Sequence, residues 1–542
     1  MYGNKVLAVR DGVLEMHGVP RTPTWNSLAS TASPGDTTVT LITAVDWKAG
    51  EVIVIAPTSY ESTEAEERTI VSVDNTNPSR PVLTLDSPLL YQHFSGLQTF
   101  SNGDFIEMRA EVGLLTRNVV FRGDPETSQA HQYGGHIMLC SPGDESLIGR
   151  IEYIELYNVG QAFQLGRYPI HFHMIGTVYN SYVNGNSIHE TYNRAVTIHH
   201  VHYLRVTNNF AYNTMGHTFF IEDGIETNNL LQNNLAIMTK PSFSLLNTDQ
   251  TPASFWITNP DNIFKDNHAA GSTRYGFWFD LDPNPTGLSF TPLVCPDRSP
   301  LGGFSNNVAH SNGRYGLRIF HKLVPATYPC ASAAPDWTNT TDPYWRNPLI
   351  TAHFVNFTSY KNKKNGAIAE QVGDVRFENF KVADNLVAGI EFSITDQTMD
   401  GTAQINGAVV IGRSVNADSK TTSTFSHGII TPRYENFQVH YANFHNFDVA
   451  GKAAIGSCSH CFHGAATDSG ARTVTFSHLQ FDNVSRKIQY QYPWKDIFYD
   501  LDGSLTGLGP KTWATPYFKF NEQPECIHDE PQYNGLLCNS SI

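Results

Sequence analysis

Three stretches of the chain share one register: Tyr168-Pro-Ile-His-Phe-His-Met174, Ala195-Val-Thr-Ile-His-His200 and Phe219-Phe-Ile-Glu-Asp-Gly224. Each alternates apolar and polar residues, as a strand buried on one face must, because successive side chains point to opposite faces. With Ile170/Phe172, Val196/Ile198 and Phe219/Ile221 inward, His173, His199 and Glu222 fall at equivalent outward positions, with His171 beside His173. The spacing predicts a solenoid whose rungs stack these polar groups roughly 4.8 Å apart.

A second ladder supports the register. Asn186, Asn209, Asn233, Asn267 and Asn307 each precede a strand position by thirteen residues: His199, Glu222, Leu246, Asp280 and Phe320. The first intervals, twenty-three and twenty-four residues, suit a stacked coil, and the later ones lengthen to thirty-four and forty. Insertions such as Thr248-Asp-Gln-Thr-Pro252 and Asp282-Pro-Asn-Pro285 are expected to bulge from the rungs. Asparagine suits the turns because its amide bonds nearby backbone and tolerates left-handed geometry. The expected class is therefore all-β. Residues 1–110 read differently, as Gly/Pro-punctuated strands that cap the coil's start; the coil runs over 111–500, and 501–542 closes it.

The cluster offers chemistry. Residues two apart on a strand lie about 6.6 Å apart on one face, so His171 and His173 can converge on one ion with His199 from the next rung. Imidazole suits zinc, iron or copper. Glu222 is then a fourth ligand or a general base, and Asp223 orients an imidazole. Without a metal the same groups serve as acid and base. The plainer alternative is surface histidines satisfying one another on a solvated sheet. For an extended substrate, Asp280 lies further along the column, Trp278 and Arg318 offer an aromatic and cationic platform, and Arg167 and Arg194 sit at strand entries where they can pair with carboxylates. His189 and His217 read as turn histidines, and His136, in Gly134-Gly135-His136, precedes the His171 rung in a register the pattern leaves open. Asp500-Leu-Asp-Gly-Ser-Leu-Thr506 begins like a calcium loop but lacks its later ligands, which favours a structural turn.

A formal charge of −15 argues against a nucleic-acid or anionic-membrane binder. An acidic polysaccharide would need a local basic groove or a bridging cation. No apolar run is long enough to span a bilayer. The first residues lack a signal-peptide layout, so the chain is read as an excised piece of a longer protein. Of seven cysteines, Cys295/Cys330, Cys458/Cys461 and Cys526/Cys538 are pairs by proximity, leaving Cys140; the connectivity stays open, as does a weak zinc reading of Cys458-Ser-His-Cys461. Acceptor triplets at Asn339, Asn356, Asn483 and Asn539 are compatible with secretion.

Leu165-Gly-Arg-Tyr-Pro-Ile-His-Phe-His173, Arg194-Ala-Val-Thr-Ile-His199, Gly216-His-Thr-Phe-Phe-Ile-Glu-Asp-Gly-Ile-Glu226 and Ile257-Thr-Asn-Pro260 resemble motifs of the fibrocystin-like family and its hyaluronidase relatives. Leu14-Glu-Met-His-Gly18, Trp25, Val45-Asp-Trp47 and Glu66-Glu-Arg-Thr-Ile70 resemble the latter part of that group's eight-glycine domain, and Asp500-Leu-Asp-Gly-Ser-Leu-Thr-Gly507 recurs in it. The resemblance implies an extracellular, right-handed parallel β-helix, and a full-length protein that is membrane-tethered. From the hyaluronidases it also implies a glycosaminoglycan such as hyaluronan, glycosidase chemistry and calcium dependence, whereas the histidines themselves favour a transition metal. The hyaluronidases' inserted domain is missing between Trp25 and Val45, which resembles the fibrocystin-like branch and its non-catalytic surface or matrix roles.

Overall fold

The computed structural model describes residues 3–141, 146–243, 247–330, 341, 347–395, 402–432, 436–458, 472–491, 496–517 and 525–539. They form two compact units: 1–97 with 107–291 and 302–316, and 98–106 with 292–301 and 317–542. Both wind the chain as a right-handed parallel β-helix.

In the first unit, one sheet stacks Val6–Val9, His136–Cys140, Ile170–Thr177, Val196–His202, Phe219–Ile221, Ala253–Ile257 and Tyr275–Leu281. The expected register holds: Ile170 pairs with Val196 and then Phe219 with Phe255, while Phe172 pairs with Ile198 and then Ile221. Each coil adds two shorter strands, such as Arg205–Thr207 and Phe210–Met215, that stack on Tyr182–Asn184 and Ser187–Thr191. The alternation exists because these inward side chains fill the coil: Ile170, Phe172, Val196, Ile198, Phe219 and Ile221 are buried. Phe219, Phe255 and Phe277 stack rung upon rung at 4.9 and 4.6 Å between ring centres. Each such burial contributes about 1.5–3 kcal/mol.

The asparagine ladder is real, with one correction. Its members are Asn186, Asn209, Asn234, Asn267 and Asn307; from Asn209 onward each carboxamide oxygen accepts from the backbone and side chain of the asparagine one coil before, and that of Asn186 accepts from the Ile154 N–H. Asn233 instead takes the left-handed turn, φ 54°, and donates to Asn208. The interior needs a buried amide at that corner, and of the adjacent pair only Asn234 faces it. The rung after Phe219–Ile221 is Ala253–Ile257, so the column position assigned to Leu246 was misplaced by the intervening insertion; Leu246 lies outside the described residues.

The first strands also revise the expected start of the coil. Val6–Val9 pairs in parallel with His136–Cys140, and Val13–His17 with Ile148–Glu152, so the chain opens inside the helix. Only then does it form an antiparallel sheet, in the order Trp25–Ser27, Glu111–Leu114, Val52–Ile55, Glu66–Asp74, Val82–Leu85, Thr38–Thr40. That sheet is fastened to the coil by polar contacts: Trp25 Nε1 donates to the Asn233 carbonyl at 3.0 Å, and buried Glu111 accepts from His268 and from His310.

In the second unit the two shorter strands of a coil fuse into one, as in Val375–Ala383, Ala403–Ile411 and Phe437–Phe447. The parallel stack ends in antiparallel Asp496–Asp500, Thr512–Pro516, Gly535–Cys538 and Cys526–Asp529. Asp500 is a structural turn residue, accepting from the backbone of Gly503, Leu505 and Thr506. Disulfides join Cys295 to Cys330 and Cys526 to Cys538, and Cys458 is disulfide-bonded, which removes the zinc reading of its motif; Cys461 lies outside the described residues.

Candidate functional site

Register alone carries His173 to His199, which pair across the sheet, and Glu222 follows one rung on with its N–H donating to Ile198. The chain turns left-handed directly after His173 and His199, with Met174 at φ 53° and His200 at φ 50°, and two residues after Glu222, with Gly224 at φ 94°. Two of these are bulky residues in a region that glycine and asparagine favour, so sequence gave no signal for the turn. Buried Glu226 holds the last one, accepting from the N–H groups of His200, Asp223 and Gly224.

The side chains converge. His173 Nδ1 lies 3.0 Å from His199 Nδ1, His199 Nδ1 3.4 Å from Glu222 Oε2, and His171 Nε2 3.8 Å from the same oxygen. One nitrogen from each of the three histidines lies within 4.8 Å of the others. The second nitrogens of His171 and His199 are committed. His171 Nδ1 donates to the Gly166 carbonyl at 3.0 Å, which leaves Nε2 as a lone pair; His199 Nε2 donates to Asp223 at 2.7 Å. His171 Nε2 and Glu222 Oε2 are buried polar atoms without a hydrogen-bond partner. A lone pair and a carboxylate oxygen left bare in a buried site, with the second nitrogen of His171 and of His199 fixed by an oxygen, suit a metal ion.

The electrostatics follow from burial. It drives the His171 imidazole well below its usual range and His173 to about 4, the latter helped by the neighbouring His199 charge. Burial raises the Glu222 carboxyl to about 7 against the pull of His199 and Arg194. Burial also opposes charging His199, but the Asp223 hydrogen bond and the Glu222 charge outweigh it and raise it to about 9. Asp223 stays below its ordinary value despite burial because it accepts from His199. In the metal-free site His199 is therefore the cation, donating to Asp223 and to neutral His173.

The outward face is not a solvated sheet. His171 is 1 % and His199 6 % exposed, with the Gly166 carbonyl on one ring and Asp223 on the other. Two expected substrate contacts are thereby corrected. Arg194 is buried, lies 3.5 Å over the Phe220 ring, and makes a two-point ion pair with Asp249 at 2.5 and 3.1 Å. Trp278 is buried too, packed on Trp256, Tyr275 and His217. Arg194 meets the insertion that carries Asp249, which local periodicity could not place. Arg167 stays half-buried, and its charge helps to keep His173 neutral. Asp280 is half-buried on Tyr275–Leu281, and Arg318 belongs to the second unit, paired with Glu370 at 2.7 Å and lying over Phe320. Sequence reasoning missed Cys140, which pairs in register with His173, and Ser289, whose hydroxyl lies 3.1 Å from His200 Nδ1. His189 pairs with Glu155, and His217 Nδ1 accepts from Ala253 N–H, as ordinary structural histidines do. Among the described residues no helix is long and apolar enough to cross a membrane.

A family model described as CEMIP beta-helix matches residues 132–317, the segment that holds the cluster. Fibrocystin-L of Mus musculus is 37% identical over 590 residues, covering 100% of this chain and 13% of that protein. Cell surface hyaluronidase CEMIP2 of Homo sapiens is 32% identical over 425 residues, 68% of this chain and 30% of that protein. Cell migration-inducing and hyaluronan-binding protein of Homo sapiens is 32% identical over 600 residues, 91% of this chain and 42% of that protein. The chain thus spans less than half the length of each of these relatives.

Proposed function

This chain belongs to the fibrocystin-like, CEMIP-related β-helix family, and we propose that it is an extracellular carbohydrate-active protein that binds a glycosaminoglycan such as hyaluronan over the histidine cluster and cleaves it there. The observation that carries this reading is the convergence of His171, His173 and His199 on Glu222, whose carboxyl is held at about 7. A carboxyl near neutrality can both give and take a proton, which glycosidic cleavage requires of its acid and base. Asp223 locks the His199 ring, so the group beside Glu222 keeps one orientation. Two relatives bear hyaluronidase or hyaluronan-binding in their names.

His171, His173 and His199 would hold a divalent ion, with Glu222 beside them. Three nitrogen donors favour zinc or another transition metal over calcium, which prefers an all-oxygen shell. When bound, the ion would supply a Lewis acid for water or a sugar oxygen. It would also supply positive charge for an acidic glycan, since Arg194 and Arg318 are already paired with carboxylates. Binding would displace the proton that His199 Nδ1 shares with His173.

The test is size-exclusion analysis of hyaluronan and of chondroitin after incubation with the protein, with and without added zinc or calcium. Shortened chains are expected, and Glu222→Gln should abolish the shortening. Binding with undiminished chain length would assign the cluster to a non-catalytic surface or matrix role. Neither binding nor cleavage of either polymer would overturn the glycosaminoglycan reading.

A further inference from the structure

Two connections reach the cluster from different rungs, and both carry exposed apolar side chains. On one side, residues 161–167 are tied to the site by the Gly166 carbonyl, which accepts from His171. Asn193 Nδ2 reinforces that segment by donating to the carbonyls of Gln161 and Gln164. Phe163 and Leu165, within it, are each 59% exposed. On the other side, Thr286 N–H donates to the Asp223 carbonyl at 2.8 Å, and Ser289 hydrogen-bonds both the Asp223 carboxylate and His200. Leu288 and Phe290, flanking Ser289, are 77% and 65% exposed.

Single exposed hydrophobic residues are ordinary. Here two pairs stand on segments hydrogen-bonded to the site's own residues, which holds their backbone in place. Phe163 is moreover kept at φ 59°, an outlying conformation for a bulky residue that persists only where the surroundings impose it. The anchors, His171 and Asp223, lie two rungs apart, about 10 Å along the stack. Polar His173 and Glu222 lie on the rungs these anchors mark.

We infer that residues 161–167 and 286–290 are the two lips of a cleft for an extended chain of pyranose rings, with Phe163/Leu165 and Leu288/Phe290 packing on the rings' C–H faces. A pyranose presents apolar C–H groups on its faces and hydroxyls around its edge, so it satisfies apolar lips and a floor of imidazole and carboxylate together. A lipid surface would leave that polar floor unpaired, at a desolvation cost. This inference rests on the glycan reading above and adds to it the residues that grip the chain on either side of Glu222.

The experiment measures affinity of the full chain for a hyaluronan oligosaccharide, labelled at its reducing end, by fluorescence anisotropy. Phe163→Ser/Leu165→Ser and Leu288→Ser/Phe290→Ser should each weaken binding at least tenfold. Leu90→Ser, at a residue 70% exposed on the antiparallel sheet's side of the chain, should bind like the parent. All four side chains are exposed, so both double variants are expected to keep the parent's circular dichroism and melting temperature, which are recorded alongside. Parent-like affinity in both double variants would overturn the lips while leaving the glycan reading standing. Loss of self-association or of protein binding with glycan affinity unchanged would overturn them in favour of a protein partner. A parent that binds no oligosaccharide would overturn the glycan reading and this inference with it.

Discussion

Asn209→Leu is the most direct perturbation of the register that builds the site, because Glu222 follows Asn209 by thirteen residues in the same coil. Asn209 is fully buried. Its Nδ2 donates to the Val183 carbonyl at 2.9 Å and to Asn234 Oδ1 at 3.0 Å, while its Oδ1 accepts from Asn186 N at 3.0 Å and Asn186 Nδ2 at 2.9 Å. Leucine keeps the branched four-atom outline of asparagine but can make none of its bonds, so the four hydrogen bonds set the least that is lost. At about 1 kcal/mol each they sum to about 4 kcal/mol, and the Asn186 N–H left without its acceptor adds about 1–3 kcal/mol. The expected loss is about 5–7 kcal/mol, comparable to the stability of a small domain. Asn233→Gly is the control. It removes one half-buried bond, to Asn208, and glycine accepts the left-handed φ, so the loss should stay near 1 kcal/mol. Hydrogen exchange of the strands Tyr182–Asn184, Arg205–Thr207 and Leu230–Gln232 reads the local opening free energy rung by rung. Losses within 1 kcal/mol of each other, or a larger loss at Asn233, would refute the ladder as the source of register.

In chelator, stability of the parent should fall between pH 4.5 and 7: folded Glu222 keeps a proton at about 7 that the unfolded chain releases near 4.5. Glu222→Gln removes that penalty, so urea unfolding free energies should coincide near pH 4 and favour the variant at pH 8, by less than the Glu222 shift alone implies because His199 loses a neighbouring charge; equal free energies at both would contradict it. Arg194→Met should cost about 3–5 kcal/mol by stranding buried Asp249, and Arg194→Met/Asp249→Leu should recover most of it, which a double-mutant cycle on thermal unfolding measures. Protein purified without chelator should carry near-stoichiometric metal by elemental analysis, and His173→Ala/His199→Ala should lose it. Metal-free parent would defeat the ion.

The coil and the composition of the cluster are determined by the sequence itself. Period-two alternation in Ile170–Phe172, Val196–Ile198 and Phe219–Ile221 leaves one inward face, and a slip of one residue would bury the polar set instead. That is why His173, His199 and Glu222 line up without further information. Tertiary structure decided everything that long-range contact must choose. Of adjacent Asn233 and Asn234, only packing selects which amide enters the corner. The outward groups are half-buried or buried because segments bearing Gly166 and Ser289 hydrogen-bond to His171, Asp223 and His200, and local periodicity says nothing about where such a segment lands. Asp249 withdraws Arg194 from a ligand and aromatic neighbours withdraw Trp278, one backbone carbonyl fixes the free nitrogen of His171, and burial lifts Glu222 to neutrality. Residue identity sets which groups are available; solvent exclusion, a property of the folded coil alone, sets what they can do.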